Sequence, residues 1–425
     1  KTQEVEILTL EDCLRIGIDN NLSLEGKRKE IQRSKYGVSE NRSKLLPQIN
    51  AIAGYSNNFD PPVSVTDGSS YGVPYNITQT LQHSANAGLE MQMPLFNQTL
   101  YTSMSIAKVM EEISRLSYGK AREDVILQIS KMYYLGQVTA EQIMLIKANI
   151  TRLEELRDIT QAFFDNGMSM EVDLKRVNIN LENLKVQYDN AQAMMKQQLN
   201  MLKYIMDYPA EKEIALTPVN TDSITTVALT GLSENIYELQ LSQSQVQLAE
   251  RQKKIITNGY IPSLSLTGSW RYAAYTDKGY HWFHSGPSNQ WFRSYGVGLT
   301  LRIPIFDGLD KTYKIKKAMI DIENKRLAWE DARKNLQTQY LNAVNDLMNN
   351  QRNFKKQKDN YLLAEDVYAV TSDRYREGIA SMTEVLQDEM QMSEAQNNYI
   401  SAHYNYRVTN LMLLKLTGQI ESLVK

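Results

Sequence analysis

The sequence predicts a mainly α-helical chain with a β part suited to a membrane, internally duplicated. Three observations carry that prediction. The ten prolines lie between Pro47 and Pro94 and between Pro209 and Pro304, leaving 95–208 and 305–425 without any. Proline breaks helix interiors, so long helices belong in those two tracts. Both are rich in Leu, Ala, Glu, Lys, Gln and Arg, which favour helix. The short segments before each tract alternate apolar and polar residues with period two, the signal of a strand. Motifs also recur at separations of 210–215 residues, the mark of a long internal repeat.

The first repeat spans 1–206. Its opening helix carries a start signal, Thr9 followed three residues later by Asp12, a capping box with Asp in place of Glu. Cys13, the single cysteine, falls inside that helix and reads as a small core residue. A hairpin follows over 46–96, with a weak strand at 46–57 and a polar stretch at 58–82 that reads as its loop. In its second strand Ala85, Ala87, Leu89, Met91, Met93 and Leu95 alternate with Ser84, Asn86, Gly88, Glu90 and Gln92. Helices at 97–165 and 169–206 complete the repeat, and 207–232, with Pro209 and Pro218, reads as a joint.

The second repeat, 233–425, reads as helix, hairpin 261–306, and helices 307–377 and 382–417. Leu264, Leu266, Trp270 and Tyr272 alternate with Ser265, Thr267, Ser269 and Arg271. Tyr295, Val297, Leu299, Leu301 and Ile303 alternate with Ser294, Gly296, Gly298, Thr300 and Arg302, and 276–290 reads as the loop between. Tyr340, Leu347, Phe354, Tyr361, Tyr368 and Tyr375 stand seven apart, the seam of a left-handed supercoil. The helix that carries them would be roughly 105 Å long at 1.5 Å per residue. The copies align closely: Leu46-Pro47 answers to Ile261-Pro262, Met93-Pro94-Leu95-Phe96-Asn97 to Ile303-Pro304-Ile305-Phe306-Asp307, and Gly167 with Asp173 to Gly378 with Glu384.

Composition narrows the function. Lys+Arg number 47 and Asp+Glu 49, a net charge of −2, which is no basis for nucleic-acid binding. Mean hydropathy is −0.45. No run approaches the roughly 18 apolar residues of a membrane helix, so any crossing is made by strands. The chain opens at Lys1 without an apolar leader, so a targeting segment would precede it. Of four histidines, His281 and His284 are three apart, but in an aromatic, Gly-bearing stretch rather than a helix. No metal, no cofactor and no catalytic residue is expected, since a phosphate loop and a nucleophile motif are also missing. Trp270, Tyr272, Trp282, Trp291 and Tyr295 gather in the second hairpin, as rings do at a membrane–water interface. A soluble sheet with one aromatic face would show the same cluster.

Four strands cannot close a barrel, and a membrane does not tolerate open sheet edges. If the strands lie in a membrane, the chain must therefore oligomerise. A cyclic trimer would bring twelve strands, enough for an open lumen, and would arrange the long helices as a second barrel.

The opening Leu8-Thr9-Leu10-Glu11-Asp12 through Asn20-Asn21, the two Pro-flanked hairpins, the run Gly298 to Gly308, and the two turn glycines each with an acid six residues on occur in the order of one family. In these features, over nearly its whole length, the chain resembles the TolC-like outer-membrane efflux proteins. The resemblance implies a homotrimer in the Gram-negative outer membrane. Its 12-stranded β-barrel, four strands per chain, would continue as a coiled-coil α-helical barrel across the periplasm. It implies an exit duct without enzymatic activity, set in outer-membrane lipid and partnered by a periplasmic adaptor and an inner-membrane pump. It also assigns an adaptor-binding tip to Asn166, Gly167, Met168 and Ser169 and to Glu377, Gly378, Ile379 and Ser381. A gate at that tip would draw on Tyr375, Arg374, Arg376, Asp373, Asp173 and Glu384. Where the family pattern has an Arg two residues after the second glycine, this chain has Ala380, and Gln387 replaces a second ring acid. The competing reading is a soluble or periplasmic coiled-coil structural or adaptor protein with a small sheet. It accounts for the helices but not for the repetition of both hairpins. A plain diffusion porin would be nearly all strand.

Overall fold

The computed structural model describes residues 5–79, 81–219, 231–276 and 291–424. The first repeat contains β1 (Glu6–Leu8), α1 (Leu10–Asn20), α2 (Leu22–Ser43), β2 (Gln48–Asn57), β3 (Val63–Asp67), β4 (Tyr75–Gln79), β5 (His83–Phe96), α3 (Gln98–Asp165) and α4 (Glu171–Met206). After β6 (Ile214–Leu216) come α5 (Tyr237–Asn258), β7 (Ser263–Thr276), β8 (Trp291–Arg302), α6 (Asp310–Arg376) and α7 (Met382–Leu416). The order helix, strands, very long helix, turn, long helix thus occurs twice. The stretch 277–290, with Trp282, His281 and His284, lies outside the described residues.

Several local readings change. The opening helix is two helices, divided at Asn21, whose Oδ1 accepts from the Leu24 amide at 3.1 Å while its Nδ2 donates to the Ile205 carbonyl at 2.7 Å. The stretch read as a loop at 58–82 carries the β3–β4 ladder, in register from Val63↔Gln79 to Asp67↔Tyr75. Its short alternation, Val63 and Val65 against Ser64 and Thr66, is masked in the sequence by Pro61-Pro62 next to it. Helix α6 begins at Asp310 rather than 307 because Gly308 and Leu309 both take positive φ, 66° each. The joint is not plain linker: β6 pairs in parallel with β1, Ile7 opposite Ala215.

The chain forms two compact units that cut across the repeats. Unit 1 comprises Lys1–Ile31, Ile113–Gln243 and Leu327–Lys425, and unit 2 comprises Gln32–Glu112 and Ser244–Arg326. In unit 2 the long strands make one antiparallel sheet in the order β2-β5-β7-β8. The β5–β7 ladder joins the repeats, with Leu89 opposite Trp270 and Gly88 opposite Arg271. Residues opposite one another share a face. One face therefore carries Ile49, Ala51, Met91, Leu89, Leu266, Trp270, Val297 and Leu299, and the other carries Gln48, Asn50, Gln92, Glu90, Thr267, Ser269, Gly298 and Thr300. The apolar side chains are not covered: Val297 is 80% and Leu299 68% exposed. Among the described residues no helix is long and apolar enough to cross a membrane.

Unit 1 is held by helix-to-helix packing. Leu153 and Leu156 of α3 meet Val177, Leu181 and Leu184 of α4, joined by Tyr368, Tyr375, Met382, Val385 and Met392 from α6 and α7. The aromatic heptad supplies the next layer. Phe354 stacks on Tyr399 and on Tyr406, each 5.8 Å between ring centroids, and Tyr361 stacks on Tyr399 at 5.7 Å. Cys13 lies fully buried among Leu14, Ile129 and Met206, and burial pushes its thiol up to about 12, as expected of a packing residue.

Glu123 is a cost built into this core. Only 4% of it is exposed, and burial pushes its carboxyl up to about 7, against the attraction of Lys415 and with the repulsion of Glu421 and Asp124. The folded state therefore holds a proton that the unfolded state releases between its ordinary 4.5 and about 7, and stability falls as pH rises through that window. Glu123→Gln should raise the unfolding midpoint above pH 7 and change it little below pH 4.5. Thermal melts at both ends of the window check this, and an equal shift at both would disprove it.

Candidate functional site

The two helical turns predicted as the tip have one backbone geometry. At the end of α3, the Gly167 amide donates to the Phe164 carbonyl at 2.9 Å and the Met168 amide to the Phe163 carbonyl at 2.8 Å. At the end of α6, the Gly378 amide donates to the Tyr375 carbonyl at 2.9 Å and the Ile379 amide to the Arg374 carbonyl at 2.8 Å. These are paired Schellman closures, with glycine in the left-handed position at φ 71° and 72°. A side chain built on either glycine meets nothing within 4 Å, so conformation and not space requires glycine. The turns expose apolar tips to solvent: Met168 is 67% and Ile379 62% exposed.

The helices that leave the turns start differently. Ser381 caps α7 with a full capping box, its Oγ accepting from the Glu384 amide at 3.2 Å and its own amide donating to Glu384 Oε2 at 2.8 Å. Those bonds to Ser381 hold the Glu384 carboxyl below its usual range. At the matching position of the first repeat stands Met170, and α4 has no side-chain cap. Asp173 pairs instead with Arg176 at 3.4 Å, and the same guanidinium donates to Thr383 Oγ1 of α7 at 3.4 Å.

The predicted gate residues do not form one cluster within the chain. Tyr375 is buried against Phe163, ring centroids 5.6 Å apart, and its hydroxyl meets Thr160 Oγ1 of α3 at 3.3 Å. Burial raises the Tyr375 phenol above its ordinary value, opposed by the bond to Thr160. Arg376 reaches Glu155 of α3 at 3.4 Å and Asp373 on its own helix at 3.7 Å. Arg374 lends positive charge to Glu384. Asn166 donates to the Ala162 carbonyl at 2.7 Å and Ser169 to the Thr160 carbonyl at 3.4 Å, so both finish the first turn. Glu377 finishes the second, its amide donating to the Asp373 carbonyl at 3.1 Å. Sequence reading missed Thr160, Glu155, Arg176 and Thr383. Only the position of Thr160, seven residues before Gly167 on the packed face, could have flagged any of them.

Among the sheet aromatics, Trp270 lies opposite both Leu89 and Tyr295, and Tyr272 meets it edge-on at 5.4 Å. Trp291 lies opposite Ala274 on the same face. Four of the five predicted rings therefore belong to the apolar face, and Trp282 lies outside the described residues.

One antiparallel sheet with a largely bare apolar face and helices far longer than a globular core needs describe a chain with a membrane-suited β part and a long helical part. A family model described as outer membrane efflux protein matches residues 16–206 and 228–419, and the chain belongs to that family. The two matched segments follow the two repeats. The family is one of transport channels rather than enzymes, and its members run from the outer membrane into the periplasm. The chain is 21% identical over 399 residues to the outer membrane protein TolC of Vibrio cholerae, covering 90% of this chain and 84% of that one. Among solved structures it is similar to CusC, with TM-score 0.80, 16% identity and coverage of 96% and 91%. It is also similar to the outer membrane protein VceC of Vibrio cholerae, with TM-score 0.76, 14% identity and 96% of both chains covered. These likenesses carry the fold.

Gly378→Val should destabilise the α6–α7 turn by about 1–2 kcal/mol through the left-handed penalty, and Gly378→Asn by less. Melts of the two variants against the parent check this; equal midpoints would remove backbone conformation as the reason for glycine.

Proposed function

We propose that the protein is the outer-membrane exit duct of a tripartite efflux or secretion system, working as a homotrimer. The carrying observation is the open four-stranded sheet, with β2 and β8 unpaired on their outer sides among the described residues and one apolar face exposed. In lipid each edge needs a partner, and a second copy supplies one: β8 of one protomer against β2 of the next. Three copies bring twelve strands, the polar face towards a water-filled lumen and the apolar face towards lipid. Trp270, Tyr272, Trp291 and Tyr295, with Trp282, mark the membrane interface in this reading.

The two turns form the periplasmic tip, where Asn166, Gly167, Met168, Ser169, Glu377, Gly378, Ile379 and Ser381 meet a periplasmic adaptor that recruits the inner-membrane pump. Exposed Met168 and Ile379 fit such a role, since exposed apolar residues are favourable contact points. With open space around both glycines, a bulky residue there would meet no neighbour within the chain and would stand in the way of a docking partner. The gate reading rests on the links that tie α6 and α7 to α3 and α4: Tyr375 to Thr160, Arg376 to Glu155, and Arg176 to Thr383. Asp373, Arg374, Asp173 and Glu384 supply the charges around them. The Arg376 pair is half-exposed and contributes modestly. Tyr375, buried with its hydroxyl bonded, is the stronger tie.

Particles extracted in detergent should have a protein mass of 3 × 48.8 = 146.4 kDa and should conduct in planar bilayers; a soluble monomer would overturn the duct. Tyr375→Phe should raise single-channel conductance, and an unchanged conductance would take Tyr375 out of the gate. Gly167→Trp and Gly378→Trp should abolish export while trimers persist; normal export in both would remove the adaptor role from these turns.

A further inference from the structure

The polar face of the sheet is nearly free of charge. Of its residues on β2, β5, β7 and β8, only Glu90, Arg271 and Arg302 are ionised, and Arg302 stands at the end of β8. Glu90 and Arg271 are bonded to each other. Their pairing is not the straight-across pairing of the ladder, for Glu90 lies opposite Ser269 and Arg271 opposite Gly88. Arg271 reaches its partner diagonally, across the strand position that Gly88 leaves bare. A Cβ at Gly88 would stand 2.3 Å from the Trp270 carbonyl oxygen, 2.8 Å from the Arg271 Cα and 3.0 Å from its Cγ. The close approach of the β7 backbone requires glycine at 88, and the arginine stem lies over the same bare position. Around the pair, Asn50, Ser269, Gly296 and Gly298 are small or neutral, and with it they line a concavity of about 490 Å³. The pair stays in contact with water, with 39% of the Glu90 side chain and 48% of the Arg271 side chain exposed.

We propose that the Glu90–Arg271 pair determines the ionic selectivity of the strand part of the duct. The inference rests on the trimeric reading, in which three copies ring the lumen. As a bonded pair, each Arg271 charge is cancelled locally, and this level of the lumen admits solutes of either sign. An unpaired member would leave three like charges around a narrow, water-filled passage with low-dielectric walls, where fixed charge concentrates counter-ions.

The test is the cation-to-anion permeability ratio, from reversal potentials across planar bilayers in a low-salt gradient, where the screening length is longest. A conducting parent channel establishes the duct independently of this proposal; a parent that does not conduct fails that reading and not this one alone. Glu90→Gln frees Arg271 and should lower the ratio about two-fold or more, Arg271→Gln should raise it by a similar factor, and the double variant should return near the parent. Shifts in the same direction, or ratios equal to the parent in channels that conduct, overturn the proposal. If a single variant fails to insert, Ser269→Lys and Ser269→Glu place a new charge at the same level with the pair intact. Opposite shifts from these two support selectivity at this level, and equal ratios overturn it.

Discussion

The pairing of β5 with β7 is the constraint on which the rest depends. It joins strands from the two repeats, so neither hairpin makes a sheet alone. A two-stranded hairpin is marginal in water, whereas four strands in register present a continuous face. That face is apolar and largely uncovered, and among the described residues the sheet ends in two bare edges. Both features are costly for an isolated chain. They become favourable when identical copies complete the ladder and lipid replaces water on the apolar side. In the proposed duct, membrane placement and oligomerisation answer to the same pattern of hydrogen bonds.

Duplication gave the chain two equal backbone turns, and side chains then separated their roles. Gly167 and Gly378 close their helices with the same bonds. Beyond the glycines the copies diverge: Ser381 caps its helix where Met170 cannot, and Tyr375 carries a hydroxyl where Phe164 has none. Each difference places a polar tie on the α6–α7 side. Tyr375, Arg376 and Thr383 thus tie α6 and α7 to α3 and α4 through a few side-chain bonds that the first turn does not duplicate.

The strand part follows another logic. Its polar face avoids net charge by bonding its only mid-sheet carboxylate, Glu90, to its only mid-sheet guanidinium, Arg271. The helical part instead carries many charges on its surface.

Periodicity in the sequence determined the long helices, the membrane-suited strands and the duplication, because each reflects one face of an element meeting one kind of environment. The heptad from Tyr340 to Tyr375 and the alternation from Tyr295 to Ile303 are such faces, and the turn glycines follow from a φ that other residues disfavour. The Asn21 break, the β1–β6 pair and the β3–β4 ladder were not legible, since short elements hold too few residues to show a period. Tertiary structure alone decided that Tyr375 meets Thr160, that Arg376 meets Glu155, and that Arg271 crosses Gly88 to reach Glu90. Those contacts join residues far apart in the chain, and their geometry depends on the packing of whole helices and on strand register, neither of which leaves a local mark in the sequence.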